Sequence, residues 1–202
     1  MYKILLLVVV LAFLSCREQR KKTEVTQIDS NTIGDYVEVE DTLRNPSSYY
    51  YLADKCPKQF AELILNDSIR PADNFSTFRV MDSLEAKLFE DRKFYLKVFV
   101  NIMDKSDGAL AEAVGLPALT YVENHTKEFL ELSSLLTKDQ FEKWANFVGV
   151  EIFLSSGNNP KKDIEDYYSK LKTNIKGSSS EQKDKLEEFH AVMKKAIVDN
   201  EK

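Results

Sequence analysis

The 202-residue chain has only two cysteines, two histidines, six glycines and five prolines. That scarcity excludes several classes at once. Two cysteines fall short of a disulfide framework or a four-cysteine zinc site. Six glycines exclude a collagen-like or glycine-rich chain. No phosphate-binding glycine loop or G-x-S-x-G elbow occurs, and neither histidine belongs to an H-E-x-x-H motif. Positive charge is in the minority, with 28 Lys and Arg against 33 Asp and Glu. A mildly acidic chain repels phosphate backbones, so nucleic acid is not an expected partner. Apolar material is plentiful. Hydrophobic residues make up 43% of the chain and aromatics 11%, enough to bury a real core in one domain of ordinary size.

A long apolar run stands at the start, in MYKILLLVVVLAFLSC. Lys3 precedes eleven uninterrupted apolar residues, Ile4 to Leu14. As a helix this run would be about 17 Å long, well short of the roughly 30 Å hydrocarbon core of a bilayer. The length suits the apolar region of a signal peptide rather than a permanent span. The closing Phe13-Leu14-Ser15-Cys16 resembles the lipobox of bacterial lipoprotein precursors. Phe13 departs from the usual leucine at that position, in the manner of the relaxed boxes of the Bacteroidota lineage.

The resemblance implies that residues 1–15 are removed and that Cys16 is the lipidation site. It implies a diacylglyceryl group on the Cys16 sulfur and a further acyl chain on its amine. One chain anchors marginally, at about 0.8 kcal/mol per buried methylene, whereas two or three make release negligible. Removing residues 1–15, whose single charged side chain is Lys3, takes the formal net charge from −5 to −6. A lipidated Cys16 also leaves Cys56 unpaired and removes a two-cysteine, two-histidine zinc site. Arg17, where inner-membrane retention signals carry Asp, implies the outer membrane, and the basic run Arg17–Lys22 implies a domain facing the periplasm.

Residues 16–46 are polar and mixed in charge, and read as a lipidated tether. Tyr36-Val37-Glu38-Val39-Glu40 alternates partly, like a short strand. Residues 47–202 read as an all-α domain, a helical bundle or paired antiparallel α-hairpins. Cys56-Pro57 starts one helix, since proline suits the first turn. The spacing of Met81, Leu84, Leu88, Tyr95, Phe99 and Ile102 predicts one long helix over 76–105, the centre of the bundle. Lys93, Lys97 and Asn101 fall four apart and form its wet stripe. A short helix is expected over 109–114, closed by Gly115 and restarted after Pro117. Thr137-Lys138-Asp139-Gln140 is a capping box. Phe141, Trp144, Ala145, Val148 and Ile152 follow at helical spacing. Pro160 opens the next helix after Gly157-Asn158-Asn159, and Gly177-Ser178-Ser179-Ser180 separates it from a last helix carrying Leu186, Phe189, Met193 and Ile197. The short loops predict two antiparallel hairpins.

Few residues suggest chemistry. His125 and His190 both adjoin apolar stripes and would bind a metal only if they met across a helix pair with Glu128 or Glu187. Boundary histidines with one hydrogen-bonded nitrogen are the plainer expectation, so no metal, cofactor or catalytic residue is assigned. Asp104–Gly108 faintly matches a calcium loop, but neither register places glycine and glutamate correctly. Cys56 precedes a helix start, where the dipole would favour its thiolate, yet it lacks a histidine partner. Asp107-Gly108-Ala109-Leu110-Ala111-Glu112-Ala113-Val114-Gly115, with Tyr121 and Glu128-Phe129-Leu130, resembles a D-G-A-x-x-E-x-x-G segment of uncharacterised exported helical proteins of bacteria. Their following asparagine-proline stands here as Asn124-His125. The resemblance spans about a quarter of the chain and implies no activity. In structural terms Asp107 is expected to cap, Gly108 to clear the turn and Glu112 to bond back to backbone amides.

Two functions compete. One is a membrane-anchored module that binds a protein or peptide of the cell envelope, as an assembly factor, inhibitor or immunity protein does. Tyr49-Tyr50-Tyr51 is its candidate exposed aromatic cluster. The other is an envelope hydrolase with a site around His125 or His190. The absence of catalytic motifs favours the first.

Overall fold

The computed structural model describes residues 57–200. Cys16, the tether, Tyr49–Tyr51 and Cys56 lie outside the described residues. Among the described residues the fold is all-α, with eight α-helices and no strand. The helices are α1 (Pro57–Leu65), α2 (Phe75–Asp82), α3 (Phe89–Lys105), α4 (Gly108–Asn124), α5 (Thr126–Leu132), α6 (Lys138–Ser155), α7 (Pro160–Asn174) and α8 (Ser180–Asn200). None is long and apolar enough to cross a membrane.

Local sequence explains many of the boundaries. α1 ends where Asp67 takes a left-handed backbone, φ 58°, which short polar side chains tolerate better than most. Asn74 caps α2 by accepting from the Thr77 amide at 3.0 Å. Thr137 and Gln140 close a reciprocal capping box on α6. Asn159 accepts from the Lys162 amide, and Pro160 occupies the first turn of α7. Gly177, at φ 83°, turns the chain towards α8.

Two expected helix boundaries fail, each for a tertiary reason. The helix expected over 76–105 is interrupted. After α2 a 3-10 turn (Ser83–Glu85) leads into an extended Ala86, and α3 begins only at Phe89. Arg92 reaches back and donates Nη1 to the carbonyls of Ala86 (2.9 Å) and Lys87 (3.0 Å). A side chain thus supplies hydrogen bonds that a continuous helix would take from backbone amides. The break keeps Leu84 buried and turns Leu88 out to 67% exposure, although Leu88 had belonged to the same apolar stripe.

The second failure is the expected stop at Gly115. α4 runs unbroken through Gly115 and Pro117. Gly115 instead permits close packing, because a Cβ there would sit 2.6 Å from Glu151 Oε2 and 3.0 Å from Glu151 Cβ on α6. Proline inside a helix leaves a carbonyl unpaired, a penalty that tertiary packing has to offset.

The last three helices are joined by short loops, but the dominant packing is α6 on α8, two elements apart in sequence. Gly149 allows it, since a Cβ at that position would meet the Met193 carbonyl at 2.7 Å. The core joins α3, α4, α5, α6 and α8 around one aromatic cluster. Trp144 is fully buried and donates Nε1 to the Ala118 carbonyl at 3.2 Å. Its ring lies 4.8 Å from Phe99, 5.0 Å from Phe129 and 5.9 Å from Tyr121. Phe189 closes the cluster against Phe129 at 5.3 Å and Phe141 at 5.4 Å. Truncating such a ring to alanine typically costs about 3–5 kcal/mol.

Candidate functional site

The two histidines occupy separate neighbourhoods. His125 stands at the junction of α4 and α5, with φ −127° and ψ 36°, so the helix axis changes there. Beside it Arg92 of α3 grips Glu128 of α5 with two bonds, Nε to Oε1 at 2.8 Å and Nη2 to Oε2 at 2.5 Å. Tyr121 donates its hydroxyl to Glu128 Oε1 at 2.9 Å. The Arg92 and Glu128 side chains are only 13% and 14% exposed, so the pair is largely desolvated. Burial opposes the charge on Glu128, but the bonds from Arg92 and then Tyr121 outweigh it and hold the carboxyl below its ordinary value. Burial, reinforced by the bond to Glu128, pushes the Tyr121 hydroxyl far up.

This network ties one helix break to another. Arg92 serves the carbonyls of the Ala86–Leu88 break with Nη1 and the first turn of α5 with its other nitrogens. His125 faces a different carboxylate, Glu85, at 3.5 Å, and Asn124 donates to the same Glu85 oxygen at 2.9 Å. Asn174 of α7 donates to the Glu123 carbonyl and to Thr126, each at 3.0 Å. An open polar groove of about 510 Å³ runs past His125, Glu123, Glu128 and Lys170. Its carboxylates are engaged, Glu128 by Arg92 and Glu123 by Lys170. The arrangement is suited to holding the helix junction rather than to moving protons.

His190 lies on α8 and stacks flat on Tyr168 of α7, with centroids 3.8 Å apart and planes 4° apart. Its Nε2 is 3.3 Å from Glu165 Oε1, yet it is buried without hydrogen-bond geometry to any group. Burial lowers the His190 pKa; Glu165 opposes this, and Lys194 and Lys172 add to it. Glu165 is itself held by Lys194 at 2.8 Å. The two histidines have different carboxylates, Glu85 and Glu165, and do not meet across a helix pair with Glu128 or Glu187, as a shared metal would require. Among the described residues no group of three His, Cys, Asp or Glu is placed to hold a metal ion.

Next to the Tyr168–His190 stack, where α7 ends and α8 begins, lies a second groove of about 270 Å³. Ile175 and Leu186 line it, 3% and 1% exposed, and Tyr168 forms a wall. Lys172, Lys176, Lys183 and Glu187 complete the lining.

No family model, curated protein or solved structure matches this chain.

Sequence reasoning singled out both histidines but missed their companions. Arg92 and Glu85 left no local signal, because they join Glu128 and His125 from elements distant in sequence. The second groove did leave one. Tyr168 and Lys172 fall four apart on α7, as do Lys183 and Glu187 on α8, which puts each pair on one face of its helix, and Lys176 follows just past the end of α7. Asp107, expected to cap α4, makes no side-chain cap bond and instead accepts from Arg70 at 2.7 Å.

Proposed function

We propose that the chain is a bacterial envelope lipoprotein, anchored through lipid on Cys16, whose helical domain binds a protein or peptide. The observation that carries the anchoring half is the N-terminal pattern. Lys3, the apolar run Ile4–Leu14 and Ser15-Cys16 are followed at once by the polar run from Arg17. The helical core of residues 57–200 supports the binding half, since it buries an aromatic cluster and presents surface grooves. On this reading the domain faces the periplasm, on a tether of about thirty residues.

A Cys16→Ser variant should lose palmitate labelling and remain unprocessed. Labelling that persists in the variant overturns the anchor. The wild-type protein, cross-linked in the intact envelope, should yield one reproducible protein or peptide partner. A chain that cross-links to nothing overturns the binding half.

A further inference from the structure

We propose that the groove between the end of α7 and the start of α8 docks an acidic peptide segment of a partner protein, with an aliphatic or aromatic side chain entering over Ile175 and Leu186 while flanking carboxylates meet Lys172, Lys176 and Lys183. The inference rests on the binding-module reading and names the chemistry of its partner.

Charge is the first argument. The chain is acidic, and several of its lysines sit against carboxylates, as Lys105 does on Asp67, Lys170 on Glu123 and Lys194 on Glu165. Among the described residues, Lys172, Lys176 and Lys183 have no carboxylate within ion-pairing distance. Three uncompensated cations gathered round one depression, with Glu187 the single acid in its lining, leave a local positive excess on an otherwise negative molecule. Such an excess steers an anionic partner and sets its register.

The floor is the second argument. Ile175 and Leu186 are core residues whose edges reach the groove, and Tyr168 adds a ring wall. The wall is stiff, because His190 stacks flat against it and Lys172 Nζ lies 5.2 Å from its centroid. An apolar floor ringed by cations selects a ligand in which an apolar group lies between anionic ones. A peptide alternating carboxylates with an apolar side chain has that form. A flat polyanionic surface does not, because it cannot enter a concave groove. Inorganic phosphate would leave the apolar floor unused.

The test uses the full-length protein in neutral detergent and a fluorescent peptide of alternating glutamate and leucine. Binding should weaken with salt. The exposed variant K172Q/K176Q/K183Q should bind on the order of tenfold more weakly, since each exposed charge pair contributes little alone. K87Q/K93Q/K97Q removes the same charge from other sites and should bind as the wild type does. Circular dichroism should show unchanged helicity in both. The lysine-for-glutamate peptide, and the peptide with glycine for leucine, should both bind more weakly. Equal binding of either peptide overturns the proposal. So does equal loss in the two variants, which would mean a general charge effect. Competition by inorganic phosphate, or by phosphatidylglycerol vesicles in preference to the peptide, assigns the groove to anionic headgroups and overturns the peptide. If no peptide binds while the wild type and K172Q/K176Q/K183Q cross-link the same envelope partner, the groove fails and the binding-module reading stands. If no peptide binds and nothing cross-links, both fall.

Discussion

The surroundings of His125 and His190 are built from similar materials and do opposite things with them. Each sets a histidine near a tyrosine, a glutamate and a cation. Around His125 the charges are used up internally. Arg92 spends its donors on Glu128 and two carbonyls, and Glu128 accepts from Arg92 and Tyr121. Around His190 the rings stack, but the neighbouring lysines of the groove have no carboxylate partner among the described residues. A polar cluster with its bonds satisfied rigidifies a fold. Charge left unsatisfied at a surface depression is available to another molecule. The contrast shows why residue type alone cannot mark a site, and why the partners of each residue must be counted.

Stability measurements can break that contrast. The largest effect is expected from Glu128→Ala, which strands the Arg92 guanidinium in a largely desolvated position. Breaking a buried pair from one side costs about 3 kcal/mol, to be read from urea denaturation. Glu165, 47% exposed beside Lys194 and His190, is the counterpart. Glu165→Ala should cost under about 0.5 kcal/mol, as exposed pairs do. Equal losses in the two variants would dissolve the distinction.

Next in size is Tyr121→Phe, which removes one buried hydrogen bond and should cost about 1 kcal/mol. Tyr168→Phe should cost close to nothing, because the Tyr168 contact is the stack of its ring and not a bond of its hydroxyl.

The pH dependence comes next. The Glu128 carboxyl is held below its ordinary value of 4.5, so its contribution is complete above that value. It is lost as pH falls through the lower folded value. Glu128→Ala should flatten this acid limb. His190 titrates below its ordinary 6.5 in the folded protein. Between the two values the unfolded chain holds a proton that the folded chain refuses, so stability should fall as pH drops through that window. His190→Gln should remove this component, and thermal melts from pH 7 downwards would show it. A difference of the opposite sign would mean that Glu165, and not burial, governs the ring.

The smallest effect is expected from K172Q/K176Q/K183Q, whose melting should stay within about 0.5 kcal/mol of the wild type. A large loss would show that these lysines support the fold rather than a partner.

Much of the fold was legible residue by residue. Thr137 with Gln140 announced the start of α6, and Asn159-Pro160 that of α7, because caps act within a few residues. Phe141, Trp144, Ala145, Val148 and Ile152 are buried as their spacing requires, as are Leu186, Phe189, Met193 and Ile197. Of the candidate site, the histidines were legible as residues but their partners were not. Glu85 and Glu165 reach them from other elements, and Arg92 reaches the neighbouring Glu128 in the same way.

The sequence by itself determined that the described chain is helical, where most helices start, and which stripes are buried. Those properties follow from hydrogen bonds and spacings no longer than a few turns. Only the tertiary structure decided that α2 and α3 are separate, that α4 runs through Gly115 and Pro117, and that α6 packs on α8. Arg92 finds the Ala86 and Lys87 carbonyls because Glu128 holds it there, and Gly115 and Gly149 matter because of atoms on other helices. The same physics separates the two histidines. A charge becomes structural or available according to what the fold brings beside it.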